Sequence, residues 1–449
     1  MLITAVMLVS VASCTAGPSD NADNNEDTAP KTMEVPVFAV DIEFGKKITS
    51  DKVTTKTISS DAVSSTMVTS LDDVVGKYVT VAVVKGDFAY KGKLSSKRPT
   101  NALDVSEVER TRNKYIDVSQ FITPNSGLDV YEALQKLIDN NTHRTIYFPD
   151  GEYIISKPIC TPANPANAVH LVLSNFATIK ASDDWTESEA LVRLGAAEPF
   201  NDINANGSNY GIEGGIFDGN GKANGISIDS GRETSVHNVS IKHTIIGLHI
   251  KWGANNRSSD ADIHTVNIVG AGVPGTIGVL VQGHDNTFTN MRIASVMTGV
   301  KLESGTNILR NIHPLFIFEP ALEGLFTESV AFLDEGGTNW YDNCYSDQFS
   351  TGFEVGHRTL AFFNDCFAMW YTKKGDVNTA IKALGPFNAI FKNLKVNFMP
   401  DNENAFLKLE TGDTTGNGYL ETPVFQEELV QNKDYQSYLR TGVMWRSVK

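Results

Sequence analysis

Residues 224–251 read NGISIDSGRETSVHNVSIKHTIIGLHIK, and this stretch contains both short patterns on which the fold depends. In one pattern, Asn or a substitute is followed by an apolar, a variable and an apolar residue, as at 238–241. In the other, Gly takes the place of Asn, as at 225–228 and 247–250. The apolar residues alternate with period two, which indicates short β-strands and not helices.

Both patterns recur along the chain, and the spacing of the copies is that expected for successive coils of one repeating structure. Copies of the Asn pattern begin at Asn238, Thr265, Asn290, Asn311, Asn343, Asp365 and Asn393. Copies of the Gly pattern begin at Gly225, Gly247, Gly278, Gly299 and Gly352. Such repeats are typical of a parallel β-solenoid, in which each coil buries its inner face against the next. We expect the repeated Asn to form a structural ladder at one turn, because Asn tolerates a left-handed backbone and its amide can bond neighbouring coils.

The composition is that of a globular protein. The 449 residues are 41% hydrophobic and 20% charged, which excludes wholesale disorder. The net charge of −15 argues against a nucleic-acid binder and against broad docking on anionic lipid. An acidic substrate stays open, since a local cleft can be basic. The four cysteines are too few for a disulfide scaffold, and no Cys/His cluster has zinc spacing. No metal site and no cofactor are therefore predicted.

Residues 1–14 are predicted to be a signal peptide with a lipobox. Residues 2–13 are apolar, too short to span a membrane, and end in small residues before Cys14. The run VASC at 11–14 resembles a bacterial lipobox, which implies lipidation of Cys14; the alternative is a plain signal peptide. Residues 15–33 are polar and acidic and are predicted to be a flexible linker. The expected location is the cell envelope or the exterior, with membrane contact only through the lipid anchor.

Residues 34–97 contain short strands separated by Gly and Asp turns. The segments VPVFAVDIEFGKKITSDKV (35–53) and VVGKYVTVAVVKGDFAYKGKL (74–94) resemble a SAF domain, a small β-clip module. In some members of that family the module contacts a sugar acid, and in others it serves only assembly. The resemblance therefore implies a fold for this segment and no particular function. Residues 98–114 are charged and polar and are predicted to be a second linker.

The third region, residues 115–449, opens with a helical stripe over 127–140 for which Ser126 is a plausible N-cap. The strand–turn–strand segment IYFPDGEYIIS follows at 146–156. This opening and GIEGGIFDGNGKANGI at 211–226 resemble the pectate-lyase-like family of the rhamnogalacturonase/epimerase type. The resemblance implies an all-β fold, a right-handed parallel β-helix, behind the small N-terminal SAF domain. It also implies that a polysaccharide binds along an outward face of the β-helix.

Alternation predicts which side chains share that face. The two apolar residues of each Gly pattern point inward. The variable residue between them therefore points outward, as does the residue two positions after it, and this repeats on consecutive coils. The alignment after residue 330 leaves Asp334 and Glu335 as alternatives for one outward position. The candidate catalytic residues are Glu303, Asp334, Glu335, Asp229, Lys301 and His249. The candidate substrate-binding residues on this face are Lys251, Gln282 and Glu354.

Two reactions suit this set of side chains. Hydrolysis needs two carboxylates, and adjacent or alternate coils would place them about 5 or 10 Å apart. β-Elimination needs a clamp on a uronate carboxyl and a base, for which His249, Lys251 or Lys301 would serve. A Ca²⁺ ion would fit a lyase, although the sequence shows no recognisable set of Ca²⁺ ligands. The acid-rich face favours the hydrolase. The alternative of another class is a non-catalytic glycan-binding or assembly protein, and self-association is open in either case.

A second group of candidates lies in the loop 252–262 and in residues 283–286. It comprises the candidate substrate-binding residues Arg257, Asp260, His284 and Asp285, together with Asp262 as a further candidate. For Asp285 and Asn286, turn chemistry is the competing interpretation. The Asn-Thr-Asp, Asp-Asp, Gly-His-Gly and Arg-Ile-Lys motifs of polygalacturonases do not occur in order, which disfavours ordinary pectin hydrolysis.

Cys344 and Cys366 follow consecutive ladder positions, one coil apart. At a coil spacing of about 4.8 Å, they are predicted either to form a disulfide or to stack as two thiols.

Overall fold

The computed structural model describes residues 31–98, 115–197, 211–252, 258–356, 359–371, 377–399, 406–412 and 415–440. The chain divides into two compact units, Met1–Asn113 and Lys114–Lys449. Cys14, Arg257 and most of the two predicted linkers lie outside the described residues. Within the described residues, no helix has the length and apolarity that crossing a membrane requires.

The N-terminal unit is a small β structure. Strands Thr32–Phe38 and Val53–Ser59 pair antiparallel, as do the short strands Tyr78–Val79 and Leu94–Ser95. Its buried core includes Phe38, Ile48 and Val79. The first strand begins inside the segment 15–33 that was predicted to be a linker, because Thr32 and Met33 already pair with Ser59 and Ile58.

The C-terminal unit is a parallel β-helix whose strands fall into two long sheets. Sheet I has ten strands, all parallel to their neighbours. Its strands are Ile159–Pro162, Ala190–Ala197, Asn224–Ile228, Ile246–Ile250, Ile277–Val281, Thr298–Leu302, Val330–Asp334, Thr351–Val355, Val377–Ala383 and Phe406–Glu410.

Sheet II has 21 strands, two in most coils of the helix. Its strands are Tyr115–Asp117, Thr145–Phe148, Gly151–Ile155, His170–Leu173, Ala177–Ala181, Gly211–Glu213, Ile216–Asp218, Ser235–His237, Ser240–Thr244, Asp262–His264, Asn267–Gly270, Thr287–Ala294, Ile308–Leu315, Trp340–Asp342, Tyr345–Asp347, Ala361–Asn364, Phe367–Trp370, Ala389–Lys392, Lys395–Phe398, Tyr419–Glu421 and Leu439–Arg440. A short parallel pair, Gly231–Arg232 with Ser258–Ser259, lies between the two sheets in the chain.

Short 3-10 segments connect the strands in both units. They are Ser50–Lys52, Ser60–Ala62, Leu71–Asp73, Lys91–Lys93, Val118–Gln120, Pro165–Asn167, Glu323–Glu328, Glu427–Leu429 and Asp434–Tyr438.

The core is a set of stacked apolar files. Inward side chains of successive coils lie directly above one another, as Phe332 and Phe353 do with ring centroids 5.2 Å apart. Tyr341 and Phe363 stack in the same way at 4.2 Å. Because each coil covers the apolar face of its neighbour, one continuous core runs along the whole domain.

The asparagine ladder is confirmed as a structural device. All seven predicted positions have left-handed backbones, with φ between 50° at Asp365 and 57° at Thr265. Some of these side chains form hydrogen bonds with the equivalent side chain on the neighbouring coil. Asn311 Nδ2 donates to Asn290 Oδ1 at 2.8 Å, and Asn393 Nδ2 donates to Asp365 Oδ1 at 3.0 Å.

A second, buried asparagine ladder was not predicted. Asn286 Nδ2 donates to Asn307 Oδ1 at 2.9 Å, and Asn307 Nδ2 donates to Asn339 Oδ1 at 3.3 Å. These three residues stand four positions before Asn290, Asn311 and Asn343, so the same intervals in the sequence could have shown them. Asn286 is therefore a buried structural residue. This agrees with the interpretation that gave this segment a structural role in a turn and not a catalytic one.

The opening helix is shorter than predicted and has a different cap. It spans Tyr131–Asp139, and Leu134 and Ile138 are buried beside strand Ile159–Pro162 at the start of sheet I. The Ser126 prediction is wrong, because Ser126 Oγ accepts from Leu128 N, outside the helix. Asp129 accepts from Tyr131 N at 2.9 Å instead, so a carboxylate, favourable at this end of a helix, holds the first turn.

Cys344 and Cys366 are both buried free thiols. The adjacent pairing of Tyr345 with Phe367 shows that they occupy equivalent positions on neighbouring coils. Of the two alternatives, the structure has the stacked thiols.

Candidate functional site

The outward file of sheet I runs across successive coils as the alternation indicated. Strand pairing aligns Ser227 with His249, His249 with Leu280, and Leu280 with Lys301. The file continues through Leu333 to Glu354 and Lys382. Ser227 is fully buried. The other polar members of this file, with those of the neighbouring file two residues further along each strand, form the surface that we call the sheet I face.

Asp334 does not belong to this face, which corrects one of the two alternatives. It pairs with Leu302 and Val355, both inward residues, and its own exposure is 0%. Phe332 and Asp334 point inward while Leu333 and Glu335 point outward, so the strand keeps strict alternation to its end. The Asp334 carboxylate accepts hydrogen bonds from Tyr341 Oη at 2.5 Å and from Asn339 Nδ2 at 3.0 Å. Burial raises the pKa of Asp334 to about 7 against the effect of these bonds.

The centre of the face is a continuous polar network. Lys301 Nζ lies 2.7 Å from Glu303 Oε1 and 3.4 Å from Glu335 Oε2, so one ammonium joins carboxylates from adjacent coils. Gln282 Nε2 donates to Glu303 Oε2 at 2.9 Å, and Gln282 Oε1 faces His249 Nε2 at 3.0 Å. Five of the predicted residues therefore form one connected group.

The network sets the charges of its members. Partial burial opposes the ionisation of Glu303, but hydrogen bonds from Lys301 and Gln282 outweigh it and hold the pKa of Glu303 below its ordinary value. The hydrogen bond to Glu303 raises the pKa of Lys301. Burial lowers the pKa of His249. At neutral pH the centre therefore holds a carboxylate, an ammonium and a neutral imidazole.

A cleft lies beside Glu303. Its walls are Trp252, Gln282, His284, Glu303 and Ser304, and its volume is about 350 Å³. The Trp252 ring is 41% exposed and meets His284 edge to face, with ring centroids 4.6 Å apart. The predicted His284 thus joins Gln282 and Glu303 in one cavity. Trp252 and Ser304 were not predicted as site residues. The sequence signal available for Trp252 was an aromatic residue directly after the outward-pointing Lys251.

One end of the face is a tightly paired group of charges. Asp229 binds Arg193, Lys251 Nζ lies 3.4 Å from Asp229 Oδ2, and Lys251 also binds Glu189. Burial works against the charge of Asp229, yet bonds from Arg193 and Ser227 hold its pKa below the ordinary value. Arg193, on strand Ala190–Ala197, and Glu189, directly before it, were missed because this strand lacks the leading Gly of the repeat.

The other end of the face carries Glu354, whose carboxylate binds Lys382 Nζ at 3.0 Å. Lys382 was also missed, since its strand begins with Val377 and not with the Gly pattern. Every acid on the face described so far has a basic partner, so this surface presents alternating charges and little net field.

Asp260 and Asp285 occupy a turn. Their backbones are left-handed, with φ of 57° and 60°, in line with Glu233 at 57° and Thr306 at 63°. Asp260 pairs with Arg232 Nε at 2.9 Å, and Asp285 is exposed. The structure places both acids in the turn after sheet I, where a short polar side chain tolerates this conformation. Arg257 lies outside the described residues.

Comparison with known families agrees with the fold and with the two units. Residues 122–326 match the family described as "Rhamnogalacturonase A/epimerase, pectate lyase-like", and residues 34–95 match the SAF domain. The chain carries a pectate-lyase-like β-helix and a SAF domain. The pectate-lyase-like match covers the cleft residues and Lys301 but ends before Glu335. No curated protein matches the sequence.

Several solved structures with a similar fold come from bacteriophages. Pre-mature gene product 12 of bacteriophage phi29 aligns with a TM-score of 0.50 and 12% identity, over 71% of this chain and 47% of that one. Its N-terminal fragment aligns at 0.49 and 13%, over 71% and 60%. Tailspike protein gp49 of Acinetobacter baumannii bacteriophage Fri1, a capsular polysaccharide depolymerase, aligns at 0.49 and 12%, over 84% and 67%. This chain thus spans less than two thirds of either phi29 chain, and such identities show the fold alone.

Proposed function

We propose that this protein binds an extended polysaccharide along the sheet I face and hydrolyses a glycosidic bond at the Trp252 cleft. The observation that carries the proposal is the position of Glu303. Its ionised carboxylate lines a cavity beside an exposed indole ring, and it shares Lys301 with the carboxylate of Glu335. An exposed aromatic ring offers an apolar surface on which a sugar ring can stack.

Glu303 and Glu335 suit the two roles that hydrolysis requires. One carboxyl group must donate a proton to the leaving oxygen, and the other must act as a base or nucleophile. Glu303 takes the second role, because Lys301 and Gln282 stabilise its charged form. The first role falls to Glu335, the carboxyl group that Lys301 connects to Glu303 from the neighbouring coil. Their strands lie on adjacent coils, about 5 Å apart. Carboxyl groups at that separation would give retention of configuration.

Lys301 acts in this scheme as a positioning residue. Its ammonium contacts both side chains and compensates the negative charge of Glu303. The raised pKa of Lys301 keeps it protonated at neutral pH, which makes it a poor base for β-elimination.

β-Elimination is the second candidate, and His249 is the observation that favours it. Burial lowers the pKa of His249, so its imidazole is neutral and able to accept a proton. Its Nε2 faces the Gln282 carbonyl oxygen and therefore carries the hydrogen, which leaves Nδ1 as the acceptor. A uronate polymer would be the substrate of this reaction.

A panel of polysaccharides separates these reactions. Hydrolysis releases new reducing ends without the ultraviolet absorbance of an unsaturated uronate, whereas elimination produces both signals. Binding without either signal would show a glycan-binding protein and would refute the enzymatic proposal. The Glu303→Gln variant is the control for cleavage, and Glu354→Gln, which alters a paired carboxylate further along the face, is the control for general effects on it.

The proposed setting is the cell envelope or the exterior, where polysaccharides of this kind are found. Lipid attachment at Cys14 stays a prediction, and mass spectrometry of the N-terminal peptide from membrane fractions tests it. Self-association also stays a prediction and is tested by light scattering.

A further inference from the structure

Sheet II carries a cluster of histidines and acids on its outward surface. Strand pairing places Glu213, His237 and His264 at equivalent positions on three successive strands. Asp262 stands two residues before His264 on the same strand, so both side chains point to the same face. The cluster belongs to the other sheet of the β-helix and shares no residue with the cleft.

Three of these side chains converge on one point. One ligand atom from each of His237, Asp262 and His264 lies within 4.8 Å of the other two. His237 Nε2 is 3.9 Å from Asp262 Oδ2, and the two imidazole rings stack with centroids 3.8 Å apart. His237 Nε2 is shielded from solvent and has no hydrogen-bond partner. A buried ring nitrogen without a partner is costly, and coordination to a metal ion would satisfy it.

We propose that His237, Asp262 and His264 bind a divalent transition-metal ion, and that Zn²⁺ is the ion this donor set fits. Two imidazole nitrogens and one carboxylate oxygen are zinc ligands, with water as the fourth. Ca²⁺ prefers oxygen ligands and does not match the two imidazoles. The rings are tilted by 24° in the stack. Rotation about their Cβ–Cγ bonds, a torsion with broad minima, turns both nitrogens towards one ion.

The imidazole side chain coordinates metal ions in its neutral form. A doubly charged ion held by both rings would also tie coil to coil, since the two histidines stand on paired strands.

Titration of the untagged full-length protein with Zn²⁺ by calorimetry tests the proposal. We expect one ion per chain to bind at this cluster. Loss of even an outer-shell partner of a metal site costs roughly 10–100-fold in affinity, so His237→Ala, His264→Ala and Asp262→Asn should each weaken binding by roughly tenfold or more. His313→Ala is the matched control, because His313 also lies on sheet II next to a carboxylate, Asp347, but has no second histidine beside it. It should bind Zn²⁺ as the unaltered protein does.

A spectroscopic readout makes the test independent of folding defects. Cu²⁺ binds such donor sets more tightly than Zn²⁺, and its electron paramagnetic resonance counts the coordinated nitrogens. We expect two imidazole nitrogens in the unaltered protein and one in His264→Ala. Asp262 is exposed, so Asp262→Asn should retain the fold and still lose affinity. Unchanged Zn²⁺ affinity in Asp262→Asn and His264→Ala, or a Cu²⁺ spectrum that neither histidine variant alters, would overturn the proposal.

Discussion

The ammonium nitrogen of Lys301 lies 2.7 Å from a carboxylate oxygen of Glu303. Lys301 lies within the outward file of the sheet I face, and Glu303 lines the cleft, so this contact connects the face to the cavity. Without it, a partly buried carboxylate would face its neighbour Glu335 with no compensating charge. The contact therefore decides which protonation state the cleft presents to a substrate.

Replacement of Glu303 by Gln should abolish cleavage and spare binding. The amide keeps the size of the side chain but can act neither as a nucleophile nor as a base. Loss of such a group typically costs roughly 10³-fold or more in kcat. Reducing-end release measures the rate, and calorimetry with an uncleaved oligosaccharide measures affinity. Near-normal turnover in Glu303→Gln would move the catalytic centre away from this cleft.

Replacement of Lys301 by Ala should shift the pH profile. Lys301 lowers the pKa of Glu303, so its removal raises that pKa. Since the base must be ionised, the acidic limb of kcat/KM should move to higher pH. Lys382→Ala is the control, because Lys382 pairs with Glu354 and has no contact with Glu303. An acidic limb that stays in place in Lys301→Ala would show that Glu303 is not the titrating group.

Replacement of Trp252 by Ala should weaken substrate binding by roughly tenfold, about 1.4 kcal/mol, because an exposed ring in a cleft is an anchor for the ligand. Trp252→Phe should recover part of the loss. Trp340→Ala tests the specificity of the effect, since Trp340 is 36% exposed but lies on sheet II. Equal losses in Trp252→Ala and Trp340→Ala would indicate a ligand that binds elsewhere or over both sheets.

The buried Asp334 should make stability depend on pH. Its pKa in the folded protein, about 7, exceeds the ordinary value of 3.8. Between these values the folded protein holds a proton that the unfolded chain has released, so the free energy of unfolding falls as the pH rises towards about 7. The decline attributable to this group is on the order of 4 kcal/mol.

Chemical unfolding at several pH values checks this prediction. In Asp334→Asn the decline between about pH 4 and pH 7 should be smaller than in the unaltered protein, because the amide does not titrate. Asp285→Asn is the control, as Asp285 is exposed and Asn tolerates its left-handed backbone. Parallel curves for the unaltered protein and Asp334→Asn would contradict the raised pKa.

Replacement of Gly278 by Ala should destabilise the β-helix. An added Cβ would lie 2.5 Å from the carbonyl oxygen of Gly299 on the next coil. Overpacking of this kind costs about 1–3 kcal/mol, measured as a lower midpoint of thermal unfolding. Gly324→Ala meets nothing within 4 Å and should be near neutral. Gly352→Ala, with 3.0 Å to Ala380, should fall between the two. The opposite order would show that the coils are less tightly stacked than described.

Much of the site could be predicted from the sequence, because alternation is a local property. The file from Ser227 to Glu354 and the pairing partners Lys301 and Glu303 follow from counting residues after each repeated Gly. Arg193 and Lys382 could not be found in this way, since their strands lack the Gly. In the cluster of His237, Asp262 and His264, only Asp262 was a candidate, and the two histidines were missed for a different reason. His237 and His264 each precede a ladder position, but nothing in a linear sequence shows that their rings touch.

The sequence by itself determined the coil repeat, the left-handed ladder positions and the inward or outward direction of most strand residues. These depend on short-range backbone preferences and on apolar burial, which a single coil already specifies. Only the tertiary structure decided that Glu303 and Glu335 share one lysine, that Trp252 meets His284 across a cleft, and that Asp334 is buried. The loops between successive strands differ in length, so contacts between coils depend on how the strands align with one another. That alignment is fixed only when the whole chain is stacked.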